Sequence, residues 1–107
     1  MSEVFGLDQL LAKRVQAERS YLEFLRVPAM SAGVYVLPAG TVDPQAPHNE
    51  DEIYYVIRGK AKMRIGAEDR SVSEGNVIFV EAGKEHQFFD IQQELVVLVV
   101  FAPGESS

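Results

Sequence analysis

Two histidines and one glutamate are the residues of this sequence that could do metal chemistry. His48 and Glu52 lie in the segment PHNEDEIYYVIRG, and His86 lies in VEAGKEHQFFD. Two neutral imidazoles and one carboxylate can hold a divalent metal and still leave coordination positions open. These three residues therefore predict a metal site with room for water or for a substrate.

The spacing of His48 and Glu52 requires a bend in the chain between them. On one straight strand, four residues at a rise of about 3.3 Å would put the two Cα atoms about 13 Å apart, too far for one ion. The intervening Asn-Glu-Asp is turn-forming sequence, so we expect His48 to end one strand and Glu52 to begin the next. The period of two then sends Glu52, Tyr54 and Val56 to the same face. Gly59 is expected to close this strand in a tight turn.

The elements that must position these residues are short β-rich segments separated by proline and glycine. They follow one another from residue 21 to residue 102, and no second helical period interrupts them. Regular spacing of this kind is typical of an all-β sandwich or barrel, and it argues against a parallel α/β sheet. In AKMRI, residues 61–65, apolar and basic side chains alternate, which indicates a strand with one wet face.

One short helix is expected before the strands. Asp8 can cap it, and its leucines fall on one stripe over residues 9–17. We therefore divide the chain into an N-terminal helical segment (residues 1–20), a β-barrel (residues 21–103) and a flexible tail (residues 104–107).

Length and composition limit the class of protein. A chain of 107 residues with 47% hydrophobic and 24% charged residues is typical of one soluble globular domain. No apolar run approaches the ~20 residues that span a bilayer, and the acidic N-terminus does not resemble a secretory signal, so we expect a cytoplasmic protein without a membrane partner. The absence of cysteine leaves only nitrogen and oxygen to hold a metal. A net charge of −6 without a basic patch argues against binding to nucleic acid.

The longest apolar run, LVVLVVFA at residues 95–102, has the length of a strand and no polar face. Both sides of such a strand must be covered. In a small barrel one side can face the interior, and the other side can face a second sheet or a second subunit. We therefore expect the protein to form a homodimer.

The segments around the two histidines resemble the two sequence motifs of cupins. The first motif runs Gly, five or more residues, His-x-His, three or four residues, Glu, six residues, Gly, and its places are taken here by Gly40, His48, Glu52 and Gly59. The second runs Gly, five residues, Pro-x-Gly, two residues, His, three residues, Asn, and its places are taken by Gly75, Glu81, Gly83, His86 and Asp90. The resemblance covers residues 32–101 and implies a cupin jelly-roll barrel, also called a double-stranded β-helix.

Three residues depart from the cupin pattern. Ala46 stands where the first histidine of His-x-His would be, so one of the family's usual four metal ligands is missing. Glu81 replaces the proline of the second motif, and Asp90 replaces its asparagine. These two changes affect turn stiffness and a strand-end hydrogen bond more than they affect metal binding.

The missing ligand leaves three alternatives for the site. His48, Glu52 and His86 can hold a metal together with water, which is typical of catalytic centres. Gln45 or Glu50 can instead fill the gap, although Glu50 is more typical of a solvated loop acid. In the third alternative no metal binds.

The resemblance implies a metal-dependent enzyme that acts on a small molecule inside the barrel, by a dioxygenase-like oxidation or by an isomerase or lyase reaction. Fe(II) or Mn(II) suits nitrogen and oxygen ligands best, and Zn(II) or Ni(II) is also compatible. The alternative is a non-catalytic cupin that binds a small ligand or serves as a sensory or accessory module. In either case Tyr54, Met63 and Phe88 are expected to line the pocket. The fold does not determine the substrate, because one scaffold hosts many chemistries.

Overall fold

A short helix precedes an antiparallel β-sheet in this protein. The computed structural model describes residues 2–44 and 47–104. Within these ranges the elements are α1 (Leu7–Gln16), β1 (Tyr21–Val27), β2 (Met30–Leu37), β3 (Asp51–Ile65), β4 (Glu68–Ser73), β5 (Val77–Val80) and β6 (His86–Ala102). Neighbouring strands follow the order β1-β2-β6-β3-β4, and β5 pairs with β3. Every pairing is antiparallel, so the prediction of an all-β fold is confirmed.

Helix α1 begins two residues earlier than predicted, and Asp8 is not its cap. Gly6 occupies the N-cap position without a side-chain cap hydrogen bond, and Asp8 lies in the first turn. A negative charge is favourable there because it opposes the helix dipole. Leu10 is the buried residue of the helix, which packs on β1 and β2. In the described ranges, no helix is long and apolar enough to cross a membrane.

Strands β3 and β6 are long and bent, and they join the two halves of the sheet. Residues 95–101 of β6 lie between β2 and the first half of β3, whereas residues 86–89 pair with the second half of β3. Register shifts in the β3–β6 pairing, between Val56 and Lys62, bend both strands. The sheet therefore folds over on itself, and the buried side chains of its two halves form one core.

Gly59 lies inside β3, so the predicted turn at this residue is wrong. Its φ of 107° falls in the region that favours glycine, and a Cβ atom there would lie 2.3 Å from the backbone oxygen of Glu94. On β6, Asp90 has a φ of 47°, a conformation that aspartate and asparagine tolerate better than most residues. Backbone conformation thus accounts for an acid or amide at this place of the second motif.

The hydrophobic core fills the space between the two halves of the sheet. Along β3, buried and exposed residues alternate as predicted, which turns Glu52 and Tyr54 inward. The rings of Tyr54 and Phe88 meet edge to face, with centroids 5.0 Å apart. The largest completely enclosed apolar side chains are Tyr54, Phe88, Met63 and Leu95. Strand β3 thus turns one carboxylate, that of Glu52, into the interior.

Candidate metal centre

His48, Glu52 and His86 meet at one end of the core. Glu52 is the second residue of β3, and His86 is the first residue of β6. His48 lies in the loop that follows β2, not at the end of a strand as predicted, because β2 already ends at Leu37. Each of the three residues offers one ligand atom, and these atoms all lie within 4.8 Å of one another. The structure thus brings together the three residues that the sequence predicts as ligands.

Of the two predicted substitute ligands, the structure describes only Glu50. Gln45 and Ala46 lie outside the described residues. Glu50 is buried, so it is not the solvated loop acid that its sequence context indicates, and the cluster formed by the described residues does not include it. The neighbouring Asp51 has a structural role, because its carboxylate accepts a hydrogen bond of 2.9 Å from the Ala82 amide.

Glu52 is a buried carboxylate that faces an imidazole. Its Oε1 lies 3.1 Å from Nε2 of His86, and both side chains are 1% exposed. Over the residues that the structure describes, no hydrogen-bond donor other than this ring reaches either oxygen of Glu52. Burying a carboxylate is costly unless a cation or donors compensate its charge. A divalent metal would do so, and the donor set therefore fits a metal.

The hydrogen bonds of His86 select the tautomer that a metal ligand needs. Its Nδ1 lies 2.9 Å from the Lys84 carbonyl oxygen, which can only accept, so Nδ1 carries the proton and donates. Nε2 of the neutral ring is then a lone-pair donor, and it accepts a hydrogen bond of 3.1 Å from the Tyr54 hydroxyl. Burial lowers the pKa of His86. The hydrogen bond to Glu52, the hydrogen bond to the Lys84 carbonyl and the negative charge of Glu52 raise it, and together they outweigh burial. The pKa of His86 is therefore raised above its usual value.

A cavity of about 180 Å³ lies beside these three residues. Its described lining combines two of the candidate ligands with aromatic and aliphatic side chains: Tyr21, Tyr35, His48, Glu52, Tyr54, Val99 and Phe101. Tyr54, one of the residues predicted to line the pocket, is part of this lining. Met63 and Phe88 lie in the core and are not part of this described lining.

Asp43 is a buried acid next to the site that the sequence pattern does not reveal. Its Oδ1 accepts a hydrogen bond of 2.7 Å from the Tyr35 hydroxyl, and its Oδ2 accepts one of 3.0 Å from the Phe88 amide. Its carbonyl oxygen accepts another, of 2.7 Å, from the Gln87 side chain. Burial raises the pKa of Tyr35. The hydrogen bond that its hydroxyl donates to Asp43 and the negative charge of Asp43 raise it further. Asp43 thus connects the loop that carries His48 to strand β6, which carries His86.

The chain belongs to the cupin family. Residues 33–106 match the family model described as Cupin domain, which is more than half of the chain. The chain is also 47% identical over 104 residues to an uncharacterized protein of Streptomyces coelicolor, an alignment that covers 97% of this chain and 99% of the relative. The implied family is therefore confirmed.

Solved structures share the fold at low sequence identity. An uncharacterized conserved protein with a double-stranded β-helix domain from Klebsiella pneumoniae superposes with a TM-score of 0.79 at 18% identity, over 97% of this chain and 92% of that one. The TT1209 protein from Thermus thermophilus superposes with a TM-score of 0.76 at 22% identity, over 96% and 99% of the two chains. The predicted all-β cupin fold is confirmed by these similarities.

Proposed function

We propose that this cupin holds a divalent metal with His48, Glu52 and His86 and acts on a small molecule in the adjoining cavity. The supporting observation is the Glu52 carboxylate, which is buried without a donor other than the His86 ring within the described chain. Three protein ligands with open positions are typical of catalytic metal centres. Nitrogen and oxygen ligands favour Fe(II) or Mn(II), and Zn(II) or Ni(II) is also compatible.

The residues around the cavity have distinct parts in this proposal. A bound metal would supply Lewis acidity toward a substrate oxygen or a site for O2, which suits an oxidation or an isomerase or lyase reaction on a carbonyl compound. Val99 and Phe101 keep water from that side of the cavity. The Tyr54 hydroxyl donates to Nε2 of His86 in the metal-free site. With that lone pair on a metal, the hydroxyl would instead be able to donate its proton to a substrate oxygen in the cavity that Tyr54 lines.

Metal analysis tests the proposal directly. Protein purified without chelator and without a nickel column is expected to contain a stoichiometric divalent metal. His86→Ala and Glu52→Gln are expected to lose it, because each removes one of three ligands, whereas the exposed Glu74→Gln variant should keep it. Wild-type protein that binds no divalent metal, or an unchanged metal content in both ligand variants, would overturn the proposal.

A non-catalytic cupin is the second candidate, and the observation that favours it is Ala46 at the place of the family's first histidine. In that case the cavity binds a small molecule without help from a metal. The binding of an uncharged probe such as benzamide should then be the same with and without metal, and nearly the same in Glu52→Gln. A large loss of benzamide affinity on removal of the metal would favour the enzyme.

A further inference from the structure

The buried charges of this protein are strongly one-sided. Among the described residues, three carboxylates are at most 5% exposed, those of Asp43, Glu50 and Glu52. All ten lysines and arginines lie among the described residues, and each of them is exposed or half-exposed. His86 is the one described buried side chain that can become positive. The interior therefore has an excess of negative charge that no lysine or arginine offsets.

One of the three carboxylates lines the cavity, a second contacts its wall, and the third is close to the candidate ligands in sequence. Glu52 lines the cavity, Asp43 accepts the hydrogen bond of the lining residue Tyr35, and Glu50 lies two residues from both His48 and Glu52 along the chain. A divalent ion in the proposed site would offset two of the three formal negative charges. An anionic ligand would lose its hydration and find no lysine or arginine in the described lining. The proposed metal would be its cationic partner, but the buried carboxylates already offset the charge of that metal.

The walls of the cavity are suited to flat, uncharged groups. The rings of Tyr21 and Tyr35 meet edge to face with centroids 6.1 Å apart, and the Phe101 ring meets the His48 ring at 4.8 Å. Aromatic side chains offer a large apolar contact, and tyrosine adds a hydroxyl for a neutral polar group. The cavity volume of about 180 Å³ suits a small ligand.

We infer that the ligand of this cavity is a small molecule without a carboxylate, phosphate or sulfonate. Its uncharged polar end faces Glu52 and His86, and its apolar remainder packs against Tyr21, Tyr35 and Phe101. The inference rests on the proposed function for the location of the ligand, and it adds the substrate class. It is carried by the position of the three buried carboxylates and by the composition of the cavity lining.

Isosteric probes test the charge preference. A carboxamide, a carboxylate and an amidinium have the same planar shape and formal charges of zero, minus one and plus one. We expect benzamide and butanamide to bind Zn(II)-loaded protein at least about tenfold more tightly than benzoate and butanoate, with NMR shifts at lining residues. The protein should prefer the carboxamides even though free carboxylates are ordinarily the better metal ligands. Benzamidine and butanamidine should also bind more tightly than the carboxylates.

A charge variant locates the origin of the preference. Glu50→Gln keeps the shape of the side chain and removes one buried negative charge, so it should narrow the ratio of carboxamide to carboxylate affinity by several-fold. Glu74→Gln removes an exposed charge on the turn between β4 and β5 and should leave the ratio unchanged. The metal content of both variants is measured alongside, so that a change in loading is not mistaken for a change in preference.

The outcomes separate the substrate class from the proposed function. Protein that holds Zn(II) but binds the carboxylates as tightly as the carboxamides overturns the substrate class alone. The same conclusion follows if none of the six compounds shifts a lining residue. Protein that binds no metal overturns the proposed function, and the six compounds still test the substrate class on the metal-free protein, because the buried carboxylates remain.

Discussion

At the scale of single residues, the site depends on which nitrogen of His86 carries a proton. The Lys84 carbonyl takes the Nδ1 hydrogen, and Nε2 then faces Glu52 Oε1 at 3.1 Å. Two lone pairs at that distance repel each other unless a proton or a metal lies between them. The residue types of the site can be predicted from sequence, whereas this arrangement depends on how the chain enters β6.

The raised pKa of His86 predicts how metal affinity depends on pH. Below that pKa a proton occupies Nε2 and competes with the metal, so the metal affinity should rise by about tenfold per pH unit and level off above the raised pKa of His86. Titration with Mn(II) over about pH 5.5 to 8.5 measures this slope. In His86→Gln the dependence of Mn(II) affinity on pH should lose the contribution of this imidazole and become shallower. An affinity that does not change over this range would contradict the assignment.

The metal-free protein should show the opposite dependence of stability on pH. Because the folded-state pKa of His86 is raised, the pair that its protonated ring forms with Glu52 stabilises the fold fully below the unfolded pKa of about 6.5. This stabilisation is lost as the pH rises through the folded-state pKa. Urea unfolding of chelated protein over the same pH range measures it, with His86→Gln as the control.

Asp43 is expected to position the ligands without contacting the metal. Removing both carboxylate oxygens in Asp43→Ala leaves the buried Phe88 amide without its acceptor, so stability should fall by about 1–3 kcal/mol. Metal affinity should also fall, but by less than the about 10–100-fold expected for loss of a direct hydrogen-bond partner of a ligand, because Asp43 bonds residues next to the ligands and not the ligands themselves. Tyr35→Phe removes only one of the hydrogen bonds and should have a smaller effect. Calorimetric titration with Mn(II) measures each loss.

A structural role without influence on the site would give a different pattern. In that case Asp43→Ala would remain folded, lose stability and bind Mn(II) as tightly as the wild type. Hydrogen exchange at the Phe88 amide shows independently whether its bond to Asp43 is broken. Fast exchange at this amide with unchanged metal affinity would therefore contradict the positioning role.

At the scale of the elements, the bend of β3 and β6 should depend on Gly59. Alanine at this position needs an unfavourable φ and also brings a Cβ atom to 2.3 Å from the backbone oxygen of Glu94. Gly75 has a φ of 90°, and a Cβ atom there would have no neighbour within 4 Å, so Gly75→Ala carries the backbone cost alone. We expect Gly75→Ala to lose about 1–2 kcal/mol and Gly59→Ala clearly more. Equal losses in urea unfolding would show that the close approach is unimportant.

The elements also show what the sequence can and cannot predict. Alternation of apolar and polar residues predicts the inward face of β3 correctly, because the period of two is local. The prediction fails at Gly59, since glycine marks both turns and close approaches and only the partner strand decides between them. The candidate ligands are identified by their spacing. Asp43 escapes prediction because its hydrogen bonds to Tyr35, Gln87 and Phe88 join residues 8 or more positions away in sequence.

At the scale of the whole molecule, one apolar surface is left open to solvent. We name the outer face of β3, β5 and β6 the outer apolar face. On it Ile53 pairs with Phe79 and Tyr55 with Val77, and these four side chains are 42–66% exposed. Next to them on β6 lie the half-buried Leu98 and Val100, from the apolar run that predicts a subunit contact. Contiguous exposed apolar residues of this kind are typical of protein contact surfaces.

We propose that two copies of the chain associate through the outer apolar face. Each copy has a net charge of −6, and this face lets two like-charged molecules meet where the contacting side chains are uncharged. Phe79→Glu would bury a charge at the contact and should raise the dimer dissociation constant by about 100-fold or more. Val4→Glu, at a completely exposed residue outside the face, should not change it. Sedimentation over a range of concentrations measures the dimer dissociation constants of the wild type and of both variants. A wild type that stays monomeric at high concentration would contradict the proposal. A Phe79→Glu dimer as stable as that of the wild type would contradict it as well.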